Sequence, residues 1–117
     1  MSVLLDRLKV MGCDIDGAMG RFLDNEAFYE KCFGKMLQDP AFEALGIALK
    51  AGSVEDAFHQ AHTLKGVLAN MGITPLYDIV VQIVEPLRKG DLSADLMGLY
   101  EQLMQAKEEY HGLVGSH

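Results

Sequence analysis

The chain is predicted to be all-α: an up-and-down antiparallel four-helix bundle with one or two short N-terminal helices packed across one end. Three observations lead there. Apolar residues recur at spacings of three and four through most of the sequence. Glycine, proline and short polar residues punctuate these stretches where helices begin and end. Strand-like alternation is poor, and the β-branched run Ile79-Val80-Val81 sits inside a helical stripe. Residues 1–117 read as one domain, with the bundle over about 25–110 and the cap helices over 3–23.

The elements follow in order. Leu4, Leu5, Leu8 and Met11 suit a short first helix that Gly12 ends. Asp16 to Leu23 gives another turn or two, with Ala18, Met19, Phe22 and Leu23 on one side. Asn25 is placed to cap the next helix, striped by Phe28, Tyr29, Cys32, Phe33, Met36 and Leu37. Asp39-Pro40 reads as a cap followed by proline at the first helical position. The helix it opens carries Phe42, Leu45 and Leu49, and Gly52 stops it.

Ser53 caps the helix after that, with Asp56 three residues on as an aspartate version of the capping box. Val54, Ala57, Ala61, Leu64, Leu68 and Met71 form its a/d stripe, and Gly72 closes it. Thr74-Pro75 repeats the cap-then-proline pattern before the stripe Leu76, Ile79, Ile83, Leu87. Pro86 lacks the N–H that would bond the carbonyl of Gln82, so a kink or early end is expected near Val84. Ser93 caps the last helix, striped by Leu96, Leu99, Leu103, Ala106 and Tyr110.

Composition narrows the function. A net charge of −7 with scattered lysines and arginines argues against a nucleic-acid partner, because phosphate backbones call for a basic face. No apolar run approaches the length of a membrane span. The start of the chain lacks the basic head and apolar stretch of a signal peptide, which with the other features predicts a cytoplasmic protein. Cys13 and Cys32 lack metal-ligand spacing and read as free thiols of a reducing compartment. With no spare heptad seam, a monomer is expected.

The chemistry concentrates in His62-Thr63-Leu64-Lys65-Gly66. At about 100° per residue, His62 lies roughly 120° from the apolar stripe of its helix, and Gly66 lies further round. The histidine therefore faces outward, and the turn beyond it carries no side chain to block approach. Lys65 flanks the same side. An outward imidazole beside a cation, with open space next to it, is suited to carrying a phosphoryl group.

Ala61-His62-Thr63-Leu64-Lys65-Gly66, followed by Ala69-Asn70-Met71-Gly72 and then Leu76, resembles the motif of the histidine-containing phosphotransfer (HPt) domain of bacterial phosphorelays. Gly12-Cys13-Asp14-Ile15-Asp16, Arg21-Phe22-Leu23-Asp24-Asn25 and Leu87-Arg88-Lys89-Gly90-Asp91 resemble that family's lead-in and exit. The resemblance implies a phosphorelay intermediate rather than an autonomous kinase. His62 would accept a phosphoryl group from the aspartate of a response-regulator receiver domain and pass it to another, with Lys65 stabilising the phosphate and Gly66 giving access. Partners would be receiver domains and a hybrid histidine kinase, which would supply the aspartate, the magnesium and most of the catalysis. No cofactor is implied for this chain itself, and it has no nucleotide-binding motif.

His59, one turn before His62, and Ala69, Gln82 and Val84 are the candidate binding residues around the site. The family often sets a polar side chain of the following helix against the imidazole. Counting from the motif, that position is Val84, which cannot hydrogen-bond. Gln82 could substitute if Pro86 rotated the turn. Val80, Val81 and Val84 widen the apolar arc of their helix, either because it is buried on two sides or because they form a docking patch. Two other function classes remain. One is a helical adaptor without phosphate chemistry. The other is a metal-binding bundle, suggested by Glu108-Glu109-Tyr110-His111 and the near match Asp56-Ala57-Phe58-His59.

Overall fold

The computed structural model describes residues 2–92 and 94–114. Among them it contains seven helices and no strand: α1 (Val3–Val10), α2 (Ile15–Arg21), α3 (Glu26–Leu37), α4 (Ala41–Ala51), α5 (Val54–Met71), α6 (Thr74–Arg88) and α7 (Leu96–Val114). The all-α helical bundle expected from the sequence is the architecture observed.

Four helices close a ring. α4 packs on α5, α5 on α6, α6 on α7, and α7 back on α4. Two-residue connections join α4 to α5 and α5 to α6, so these neighbours run antiparallel. α3 packs on α5 and α7, the same pair that receives α4. The two helices thus fill one corner of the bundle in succession, split at Asp39-Pro40. α1 and α2 pack on each other, and α2 reaches the C-terminal end of α5.

Local chemistry explains most boundaries. Ser53 Oγ accepts from the Asp56 N–H, and Asn25 Oδ1 accepts from the Phe28 N–H. The capping box at Ser53 stays open, because the Ser53 N–H donates to the Ala48 carbonyl at the end of α4. Asp39 Oδ1 takes the Ala41 N–H at 2.8 Å, with Pro40 already at a helical φ of −63°. Gly72 adopts φ +74°, and its carbonyl accepts the Asp14 N–H at 2.8 Å, which ties α2 to the end of α5. A Cβ on Gly72 would run into the backbone of Asp14, so both the dihedral and the close approach call for glycine.

Several boundaries and faces differ from expectation. Thr74 is the first residue of α6 rather than its cap. Its hydroxyl donates back to the Gly72 carbonyl, and the cap position belongs to Ile73, a fully buried residue. α6 neither ends nor breaks near Val84 but continues to Arg88. Pro86 falls in its last turn, where its missing N–H cannot reach the carbonyl of Gln82, an exposed residue that water can reach. The expected cap Ser93 lies outside the described residues. Asp95 takes up this role at α7, where its Oδ1 accepts from the Gly98 N–H at 2.9 Å.

One apolar core runs through the molecule. The α5 stripe Ala57, Ala61, Leu64, Leu68, Met71 is buried as expected, with Val54 at its edge. On α6 the buried set is Leu76, Val80, Ile83, Val84 and Leu87, so Ile79 moves to the flank and the two valines move inward. Leu23 and Phe28, both expected on apolar faces, are exposed. Leu23 follows the end of α2 with φ +53°, which turns its side chain off the helix face. At one end an aromatic chain runs from Phe22 through Tyr29 and Phe33 to Tyr110, with ring centroids 5.2 to 6.4 Å apart. Tyr29 donates its hydroxyl to the Met71 carbonyl at 2.7 Å, which satisfies its buried polar atom.

Candidate functional site

α5 owes its outer face to its sequence. With the stripe from Ala57 to Met71 turned inward, the opposite side carries Glu55, Asp56, His59, His62, Thr63, Gly66, Ala69 and Asn70, all exposed. His62 stands in the middle of that face. A Cβ built on Gly66 meets nothing within 4 Å among the described residues, so none of them requires glycine there. Lys65 is half-buried at the edge of the face and makes no ion pair among the described residues. Helical side chains lean toward the N-terminus, which carries the Lys65 ammonium back toward the turn of His62.

The ring contact of His62 comes from its own helix. Phe58, one turn earlier, has its ring centroid 5.7 Å from that of His62, with the planes tilted by 36°. Arg88, near the end of α6, sets its guanidinium carbon 5.4 Å from the Phe58 centroid. Phe58 and Arg88 therefore fix the register of the antiparallel α5–α6 pair at one end. At the other end, Leu68 and Ala69 line a cleft together with Tyr77 and Asp78. Counting inward from these points brings Val84 level with His62 and Val81 level with Lys65.

The candidate residues fare differently. Val84 is at the height expected for a ring-holding residue, but it is fully buried, as is Val80. Neither valine offers surface to a partner, so of the two readings of this arc the helix buried on two sides fits Val80 and Val84, while Val81 is half-buried. Gln82 is exposed, and its amide donates to the Asp78 carbonyl at 3.3 Å. It is turned along its own helix and does not take the place of a polar residue at Val84. His59 is exposed beside His62, and its carbonyl accepts the Thr63 hydroxyl at 3.0 Å. Ala69 is exposed two turns beyond His62.

Three residues near the site escaped the sequence reading. Phe58 and Arg88 are two of them, and spacing held a clue to the first: Phe58 and His62 stand at i and i+4 on one helix. Arg21 is the third. Its Nε and Nη2 donate to the carbonyls of Asn70 and Ala69 at 3.0 and 2.9 Å, which sets a cation at the C-terminal end of α5, where the Ala69 carbonyl also accepts the Gly72 N–H. Long-range contacts of this kind carry no local signal.

Residues 37–115 match the family model of the Hpt domain, more than half of the chain. The chain belongs to the Hpt domain family. The match covers α4 to α7, the four helices of the closed ring, and includes His62, Lys65 and Gly66. The lead-in segments Gly12–Asp16 and Arg21–Asn25 fall before it. No curated protein and no solved structure matches the chain.

Hpt domains are phosphotransfer modules of phosphorelays rather than kinases, and they work with receiver domains and kinases. The geometry gives the metal alternative no support. Among the described residues, no three His, Cys, Asp or Glu side chains converge on a point that could hold an ion. Asp56, His59 and Glu108 of the two candidate motifs are exposed rather than aimed into the bundle. Among the described residues, no helix is long and apolar enough to cross a membrane.

Proposed function

We propose that this Hpt domain is a phosphorelay intermediate whose phosphoacceptor is His62. The observation that carries the reading is the combination at one outward turn of α5: an exposed imidazole, and, among the described residues, a lysine without an ion-pair partner and a glycine with open space around it. A neutral ring nitrogen attacks the phosphorus of a receiver's aspartyl phosphate. The new N–P bond forms as the P–O bond to the carboxyl group breaks, and the carboxylate leaves with the electron pair. The ring holds the positive charge until the proton on its other nitrogen departs. Lys65 offsets charge on the phosphoryl oxygens. Transfer to a second receiver is the reverse of the same step.

Gly66 lets the partner's active-site loop approach within contact distance of His62. The domain adds no nucleotide chemistry of its own, and its donors and acceptors are receiver domains, among them that of a hybrid kinase. The work is done where kinases and regulators of this kind reside, in the cytoplasm.

The direct test is phosphotransfer. The purified chain is mixed with a phosphorylated receiver domain from the same genome, beside a His62→Gln control. Acid-labile, base-stable label on the wild type and none on His62→Gln is the expected result. Label on both proteins would overturn the assignment of His62. Absence of label from every receiver of that genome would shift the weight to a helical adaptor without phosphate chemistry.

A further inference from the structure

An exposed histidine on a helix is free to exchange between rotamers, and only some of them direct a ring nitrogen at an incoming phosphorus. Something has to narrow that choice. The neighbouring helix does not: Val84, level with His62, is an apolar core residue, and the Gln82 amide is engaged with the Asp78 carbonyl. The contact that the ring does have is aromatic. His62 leans toward the N-terminal end of its helix, as helical side chains do, and meets the ring of Phe58 at 5.7 Å and a tilt of 36°.

Phe58 is itself held. It is half-buried at the α5–α6 boundary and packs against the core. The Arg88 guanidinium covers its ring from α6, within the distance at which a cation is attracted to an aromatic face. Arg88 also lies 3.9 Å from Glu85, an approach between two half-exposed side chains and too long to compete strongly for the guanidinium. The order Arg88, Phe58, His62 is thus a stack that begins on a different helix and ends on the reacting ring.

We infer that Phe58 is a positioning residue for phosphotransfer, backed by Arg88, and that this stack takes the place of the polar side chain missing at Val84. The inference rests on His62 being the phosphoacceptor. An aromatic face restricts rotation of the imidazole without tying up either ring nitrogen in a hydrogen bond. One nitrogen stays open for attack and the other stays free to release its proton.

The test compares wild type, Phe58→Leu, Phe58→Tyr and Arg88→Gln. Two quantities are read: the transfer rate as a function of receiver concentration, and the His62 ring resonances by NMR. A ring 5.7 Å away shifts the His62 ring protons, so Phe58→Leu should move those resonances. It should also lower the maximal rate on the order of tenfold, with little change in the receiver concentration at half-maximal rate. Phe58→Tyr should restore both quantities, because it keeps the aromatic face. Arg88→Gln should show the same changes in smaller measure.

An unchanged maximal rate in Phe58→Leu would overturn the inference. So would a slowed Phe58→Leu whose His62 resonances stay in place, or a Phe58→Tyr that does not recover. If the wild type accepts no phosphate, the phosphoacceptor reading fails instead, and the NMR comparison still decides whether the Phe58 ring lies against that of His62.

Discussion

Gly46 and Gly66, two of the glycines inside helices of this domain, are there for opposite reasons. Gly46 on α4 is buried beneath Tyr100 of α7, and a Cβ added to it would lie 2.6 Å from the tyrosine's Cζ and Oη. Tyr100 also donates its hydroxyl to the Phe42 carbonyl at 2.8 Å, which fixes the ring over the gap. Gly66 on α5 has nothing within 4 Å of the same construction. One glycine is filled from inside the molecule, and the other is left open to the outside. The same residue type thus marks a sealed face of the bundle at α4–α7 and an open face at α5. The open face is the one that carries His62.

Substitution should separate the two. Gly46→Ala forces the Tyr100 ring aside and should lose about 1–3 kcal/mol to overpacking, partly offset by the better helix propensity of alanine. Chemical denaturation checks this. A Gly46→Ala protein as stable as wild type would mean that Tyr100 can move at no cost. Phosphate transfer to the folded Gly46→Ala protein should be unchanged, because Gly46 lies on the face away from the histidine.

Alkaline pH attacks another part of the core, the aromatic chain of Phe22, Tyr29, Phe33 and Tyr110. Burial is the main cause that raises the phenols of Tyr29 and Tyr110 well above the ordinary tyrosine range, with the neighbouring Cys13 adding to the effect. The folded state therefore holds these protons more tightly than the unfolded chain does. That contribution is complete below the unfolded tyrosine pKa of about 10 and is lost as pH rises beyond it. Denaturation midpoints should drop above about pH 10, and less so in Tyr29→Phe, which has no proton to release at that site. Equal drops in the two proteins would contradict the assignment to Tyr29.

On the open face the signs reverse. Gly66→Ala should raise stability by about 1 kcal/mol, since alanine is the better helix former and meets no obstacle. The same change should slow phosphate transfer, because the added methyl group stands where the partner approaches. Stabilisation with unchanged transfer would show that Gly66 is not an access point. The smallest effect on folding belongs to His62→Gln, within about 0.5 kcal/mol of wild type as for other exposed sites.

This contrast also explains what the sequence made legible. The α5 stripe, the Ser53 and Asn25 caps and the outward direction of His62 follow from spacing within one helix, and all are present in the structure. On α6 the apolar arc from Leu76 to Leu87 is wide, so spacing alone left open which residues turn inward. Contact with α5 and α7 decides it, and it takes Val80 and Val84 into the core in preference to Ile79. Gly46 and Gly66 look alike in sequence for the same reason: what fills the first is a tyrosine more than fifty residues away. Phe58 lay outside every predicted stripe because its role depends on Arg88 of another helix. Thr74 and Pro86 followed local rules for caps and breaks that the junction at Gly72–Ile73 and the position of Pro86 in a final turn override.

The most direct measurement is to locate the phosphate. The wild-type protein is loaded from a phosphorylated receiver domain, kept at alkaline pH, and examined by mass spectrometry or phosphorus NMR to find which of its four histidines is modified. Phosphate on His62 alone, lost on acidification, is the result this account predicts. Phosphate on His59, on His111 or on no histidine at all would contradict it.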